Sequence, residues 1–161
     1  MKNINIFCFG FGQVAKSFLN KLSLANINIH LSTTNTSKTC TVKSKNLEFQ
    51  SYKFKDNNFD PIILNKLKKS DHILVSIPPI NGEDLVIKNF SDIIKNSKIK
   101  WITYLSATSV YGDHKGDWVD EMSETKPTSP NGLDRLKVEH EWLNLANKNN
   151  LPLQIFRLSG I

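Results

Sequence analysis

The run Ile4-Asn5-Ile6-Phe7-Cys8-Phe9 passes directly into Gly10-Phe11-Gly12-Gln13-Val14-Ala15, and the reading of that junction decides the fold. An apolar run of strand length stops at a pair of glycines. A helical pattern starts at once, with Val14, Phe18, Leu19 and Leu22 on one stripe. A G-x-G-x-x-A turn between a strand and a helix has a mechanical meaning. Gly10 makes a tight turn that a Cβ would obstruct, Gly12 lets a pyrophosphate approach the backbone, and Ala15 lets the helix pack closely on its strand. The free N–H groups of the first helical turn, at the positive end of the dipole, then face the phosphates. Gly10, Gly12, Gln13 and Val14 are therefore expected to hold a dinucleotide pyrophosphate. The alternative is an ordinary tight strand-to-helix turn.

Outward from this junction, strands and helices alternate. Ile27 to Leu31 reads as a second strand after a helix ending near Ala25-Asn26, and Leu47 to Phe54 as a third. A short helix over Pro61 to Lys69 precedes the apolar strand His72 to Ile77, which stops at Pro78-Pro79 because proline cannot continue a central strand. Asn81-Gly82 turns the chain into a helix reaching about Lys95, and Trp101 to Leu105 is a fifth strand. Ser129-Pro130 gives an N-cap followed by proline at N1, with Leu133, Leu136, His140, Leu143 and Ala146 as the expected core stripe. Gln154 to Leu158 is a sixth strand. This order predicts an α/β, doubly wound parallel sheet of about six strands with helices on both faces, in a single domain over residues 1–161.

Composition narrows the partners. The chain has 161 residues, 39% hydrophobic and 22% charged, which suits one globular domain with a real core. No apolar run approaches the ~20 residues of a membrane span, and Met1-Lys2-Asn3 leads straight into a strand, leaving no room for a signal peptide. The net charge of +6 is nearly all lysine, scattered without interleaved aromatics, so neither nucleic acid nor membrane is the expected partner. Cys8 and Cys40 have no metal-type spacing and read as reduced thiols of a cytoplasmic protein; no metal site is expected.

The segment Ser32 to Lys38 is expected to be a polar loop beside the adenosine ribose. NAD-specific sites place an acid here, yet none occurs between Asn26 and Asn46. Thr33, Thr34, Asn35 and Lys38 are instead suited to a 2′-phosphate, which favours NADP over NAD. Ile77 and Pro78 would wall the cofactor. The long loop after the fifth strand, from Ser106 to Glu121, lies where ligands bind in doubly wound sheets.

Three stretches resemble the extended, atypical short-chain dehydrogenase/reductase family of NAD(P)-dependent epimerases and dehydratases. They are Gly10 to Ala15, Leu105 to Gly112, and Phe156-Arg157-Leu158-Ser159-Gly160-Ile161. The segment Gly112 to Glu121, with its Trp118-Val119-Asp120-Glu121, is similar to a bacterial sugar-epimerase-like subgroup. The resemblance implies a dinucleotide cofactor, a nucleotide-sugar-like substrate, and a Tyr/Lys pair with a Ser/Thr as proton machinery. In this chain the Tyr position reads Asn131, the Lys position Arg135 and the Ser/Thr position Ala107, flanked by Ser106 and Thr108. An amide cannot donate and recover a proton at neutral pH, and an arginine stays charged. Tyr111, Asp113, His114, Asp117, Asp120 and Glu121 are the substitutes the loop offers, with His114 the natural candidate because imidazole changes charge near neutrality. The competing role for this loop is structural, with Asp113 and Asp117 making turns while Trp118 and Val119 pin it to the sheet. The resemblance also implies a C-terminal substrate lobe that this sequence does not contain, with a homodimer as one way to cover the face it would leave.

Two functions follow as expectations. One is an oxidoreductase or epimerase with an altered proton relay. The other is a non-catalytic NADP(H)-sensing module that regulates a protein partner. A decayed gene product is a third.

Overall fold

The computed structural model describes residues 3–23, 28–44 and 47–159. The predicted end of the first helix near Ala25-Asn26, Ile27 of the second strand, and Gly160-Ile161 lie outside them. The chain runs β1 (Asn3–Phe9), α1 (Gln13–Ser23), β2 (Asn28–Asn35), β3 (Cys40–Ser44), β4 (Leu47–Lys55) and β5 (Asn58–Phe59). It continues through α2 (Ile62–Lys68), β6 (His72–Val75), α3 (Leu85–Lys95), β7 (Trp101–Ala107), a 3-10 turn at Thr108–Val110, α4 (Pro130–Asn149) and β8 (Leu153–Leu158). The sheet order is β3-β4-β2-β1-β6-β7-β8, with β5 paired to β4. Pairing is parallel except where β3 and β5 meet β4. The doubly wound expectation is met. The order reverses between β1 and β6, the crevice where such sheets take ligands.

β1 shows why the opening run is a central strand. Phe7 and Phe9 enter the core on one face, while Ile6 and Cys8 enter the opposite one, and all four are buried. Burial pushes the Cys8 thiol up to about 12, so it behaves as a small apolar group. One face is built by α2, α3 and α4, whose Ile63, Leu67, Val86, Phe90, Ile94, Val138 and Trp142 join an aromatic cluster. Phe9, Phe54 and Phe59 surround Phe90 there, with ring centroids 4.9–5.3 Å from it. The other face is covered by α1, through Ala15 and Leu19.

The structure corrects three details. The polar stretch after Leu31 is no loop, because β2 runs to Asn35, and Ser32, Thr33 and Thr34 are buried between β1 and β4. Threonine fits a pleated interior as well as it fits a loop, so polarity misled. The link from β2 to β4 is a strand, β3, that pairs back on β4 as an unforeseen antiparallel edge. On α4 the buried positions are Gly132, Val138, Glu139, Trp142 and Ala146, while Leu133, His140 and Leu143 are exposed. Trp142 fixes this rotation. Its indole donates to Asp84 Oδ2 at 3.1 Å and stacks on Tyr104 at 6.3 Å. The Ser129 cap is as expected, its Oγ accepting from Gly132 N at 3.1 Å.

Candidate functional site

Gly10 and Gly12 differ in what they demand. Gly10 has φ +85°, and a Cβ there would lie 2.9 Å from Ile77 Cγ2 and Ser76 Oγ, so no other residue fits the turn. Its N–H donates to Thr34 Oγ1 at 2.8 Å, tying the turn to the end of β2. Ser76 closes the other side, its Oγ and N both donating to Phe9 O. A Cβ on Gly12, by contrast, would meet nothing within 4 Å. Helix α1 begins at the next residue, so its first-turn N–H groups open onto that same space.

A cavity of about 710 Å³ lies on the Gly10 side of the turn. Its apolar walls include Phe11, Val42, Phe54, Ile77, Pro78, Ile80 and Leu85, and Thr33, Thr34, Asn35, Thr36, Ser44 and Ser51 supply hydroxyl and amide groups. Thr33 is fully buried and its Oγ1 has no partner. Asn35 is committed, accepting from Ser37 N and Lys38 N while donating to Lys38 O and Ser51 Oγ. The cations of the wall are Lys16, Lys43 and Lys55, with Asp56 the acid among the described residues. Lys38 is outside this wall. Lys43 and Ser44 come from β3, which sequence reasoning missed; the short alternation Cys40, Val42, Ser44 was the signal.

A second cavity of about 500 Å³ lies on the Gly12 side. Gly12, Gln13, Val14 and Ala15 form one wall, Leu105 to Ser109 another, and Ser76, Arg135, Leu158 and Ser159 complete it. Arg135 is half-buried, and its Nη1 donates to Leu105 O at 3.0 Å across the end of β7. Ser106 is buried with its hydroxyl unpartnered. Of the predicted catalytic residues, Thr108 and Arg135 meet here. Asn131, Tyr111 and His114 line neither cavity.

Those three are placed by other interactions. Asn131 is exposed on the first turn of α4. Tyr111 is buried beneath Arg157, whose guanidinium sits 4.8 Å above the ring. Arg157 in turn pairs with the buried Glu139 at 2.7 Å, and this pair holds the guanidinium charged at still higher pH than usual. This Tyr111–Arg157–Glu139 stack was not legible from local pattern, because its members lie 18 or more positions apart. His114 Nε2 lies 3.1 Å from Glu124 O, joining the two limbs of the loop. Asp113 accepts from Lys115 N, Asp117 N donates to His114 O, and Asp120 accepts from Met122 N. The turn role of Asp113 and Asp117 therefore holds. Trp118 does not pin the loop, because it is fully exposed and packs against nothing.

Among the described residues no group of His, Cys, Asp and Glu is arranged to hold a metal, and no helix is long and apolar enough to cross a membrane.

No protein-family model and no curated protein matches the sequence. Solved structures do match the fold. A conserved protein of unknown function from Silicibacter pomeroyi is 28% identical with a TM-score of 0.76, over 97% of this chain and 52% of that one. UDP-glucuronic acid 4-epimerase from Bacillus cereus, solved with NAD, is 22% identical with a TM-score of 0.76, over 97% and 56%. The dTDP-glucose 4,6-dehydratase of Bacillus anthracis, also solved with NAD, is 14% identical with a TM-score of 0.74, over 96% and 54%. The chain thus spans about half the length of the structures it matches. Its fold is the Rossmann-type, doubly wound α/β fold found in these NAD-dependent epimerases and dehydratases.

Proposed function

We propose that residues 1–161 form one dinucleotide-binding domain of the epimerase/dehydratase type. The observation that carries this is the position of the glycine turn. It separates two cavities at the reversal of strand order, with Gly10 in the wall of one and Gly12 in the wall of the other. The adenosine half fits the larger cavity, between Phe11, Val42 and Ile77. The pyrophosphate fits the open space over Gly12 and the start of α1, and the nicotinamide half fits the cavity of Ser106, Thr108 and Arg135. When bound, the cofactor supplies hydride transfer; everything else is the work of the chain. NADP is favoured over NAD because β2 ends without an acid to bind the ribose, and Lys16, Lys43 and Lys55 outnumber Asp56 in the wall of the cavity. The free thiols Cys8 and Cys40 suit a cytoplasmic setting.

For the reaction class, the matched epimerase and dehydratase point to a nucleotide-sugar-like substrate. The chain's own residues favour binding over turnover. Tyr111 is committed to Arg157 and His114 to the loop backbone, and the Arg135 cavity has no acid–base group in its wall among the described residues. A role as an NADP(H)-responsive module with a protein partner, a homodimer included, is the second reading.

Titration with NADPH and NADH, followed by nicotinamide fluorescence and thermal shift, tests the proposal. A micromolar Kd corresponds to about 8 kcal/mol. The expected result is binding of both, with NADPH tighter. Binding of neither would overturn the reading.

A further inference from the structure

The leucine stripe of α4 is left open by the fold. Leu136 is half-buried, while Leu133, His140 and Leu143 are exposed, and the four are spaced as along a helix–helix seam. Trp142 points to Asp84 at the start of α3, and Glu139 meets Arg157 of β8. The stripe lies on the flank of Glu139 away from Trp142, so it faces outward past β8. β8 is itself an edge of the sheet among the described residues. Ile102 N donates to Pro152 O, so alternate residues of β8 bond to β7, and the N–H and C=O groups of Ile155 and Arg157 point outward. Sheet edges are normally guarded by lysine, proline or a bulge. The opposite edge, β3, carries the exposed Lys43. β8 has no such guard: its one charge, Arg157, is held by Glu139, and Phe156 is 47% exposed.

A second copy of the chain fits both surfaces at once. We propose that β8 pairs antiparallel with β8 of another copy, Phe156 opposite Phe156, about a two-fold axis normal to the sheet. Neighbouring strands stand about 4.8 Å apart, and α4 packs over both β7 and β8. Each α4 axis then lies about one strand spacing from the two-fold. That puts the two helices about 10 Å apart, the distance at which helix side chains interlock. The levels along the seam agree as well. α4 returns the chain between two parallel strands and so runs against them. Arg157 meets Glu139, and one strand residue advances as far as about two helix residues. Phe156 is thus level with about residue 141, so His140 and Leu143 of one helix meet Leu143 and His140 of the other beside the axis. Ile155 packs into the cluster under α4, which puts Phe156 on the opposite face, where the two rings cover the seam from below. The paired Arg157 and Glu139 bring no net charge to the contact.

Sedimentation equilibrium on the full chain, with and without NADPH, reads the association. One strand pair and one helix pair make a small specific interface, so the Kd should be about 1–100 μM. Leu143→Glu and Phe156→Lys change exposed side chains on opposite faces of the seam. Each should leave the monomer folded and weaken the dimer about ten- to a hundredfold. In wild type, amide exchange at Ile155 and Arg157 should slow as the concentration passes the Kd. Phe156→Cys in a Cys40→Ser background should cross-link to its own copy, since paired Cα atoms there stand about 4.5 Å apart. A wild type that stays monomeric at millimolar concentration overturns the proposal and leaves the seam to a different polypeptide. A dimer that survives both substitutions overturns it too, as does concentration-dependent protection of β3 in place of β8. The exchange experiment needs no variant, so misfolding offers no escape. Phe156, His140 and Leu143 line neither cavity. Loss of NADPH binding with the dimer intact therefore sinks the cofactor reading and spares this one, and a monomer that binds NADPH does the reverse.

Discussion

The two glycines of the turn should separate structural from functional constraint. Gly10→Ala puts a Cβ into a left-handed backbone and 2.9 Å from Ile77 Cγ2 and Ser76 Oγ. The backbone term is about 1–2 kcal/mol. Forcing Ser76 off Phe9 O adds an overpacking term of similar size, for about 2–4 kcal/mol in all. In a domain of this length that lowers Tm by about 5–15 °C. Gly12→Ala meets open space and no positive φ, so its cost to the free protein should stay within about 0.5 kcal/mol, with a slight gain from reduced unfolded-chain entropy. Its methyl would nonetheless occupy the approach to the amides at the start of α1. Loss of one or two charge-assisted hydrogen bonds weakens a dinucleotide by about 10- to 100-fold or more. The assay is a melt of each protein with and without NADPH. At about 100 Kd the ligand adds about 2.7 kcal/mol to wild type, and Gly12→Ala should show little of that shift while melting normally alone. A Gly12→Ala protein that binds NADPH like wild type refutes the pyrophosphate seat. One that is as unstable as Gly10→Ala refutes the geometry.

Two further outcomes test how the site is supported. Asp84 caps α3 by accepting from Val86 N and Ile87 N, and also accepts from the buried Trp142 indole. Asp84→Ala removes the cap and strands that donor, so urea unfolding should show a loss of about 2–4 kcal/mol; a loss below about 0.5 kcal/mol would mean the indole finds water. Asp71 accepts from Asn5 N and from Lys100, at the opposite end of β1 from the turn. The Asn5 backbone bond first, then Lys100, holds its carboxyl at about 2, below its ordinary 3.8. Its folded value lies under its unfolded one, so its stabilisation is complete above about pH 4 and disappears as pH falls through about 2. Asp71→Asn should therefore flatten the stability profile between those limits, and an unchanged profile would show that the bonds are not maintained in solution.

How much of this was legible depended on whether local pattern or distant partners decided each feature. The glycine turn announced itself because a strand, two glycines and a helical stripe are adjacent in sequence, and Ser129-Pro130 announced α4 by local capping chemistry. β2 was read four residues too short because Ser32, Thr33 and Thr34 are polar, whereas their burial depends on β4, some 18 residues away. The face of α4 was misjudged for the same reason. Leucine spacing suggested one stripe, while Trp142 reaching Asp84 across 58 positions selected another. Thr34 illustrates the mixture: the missing acid was visible at once, but its bond to Gly10 N needed the folded sheet. Of the proposed catalytic groups, Tyr111 could not be judged from sequence, because Arg157 and Glu139 claim it from far along the chain.

That claim on Tyr111 bears on the choice between enzyme and binding module. A general acid or base must come within about 3 Å of the proton it moves, directly or through one water. Tyr111 is buried under a guanidinium that is itself locked to Glu139. Freeing the phenol would require that ion pair to open, and breaking a buried pair costs several kcal/mol. His114 would have to release Glu124 O, and with it the link across the loop. Asn131 has no titrating group at all. Among the described residues, the polar side chains in the wall of the cavity proposed for the nicotinamide half are Arg135, hydroxyls and an amide, which orient and neutralise. A proton relay through Tyr111 or His114 therefore requires one of these contacts to open first. Measurable epimerisation or reduction by the purified chain, surviving substitution of both Tyr111 and His114, would show that the proton moves through a group outside this account.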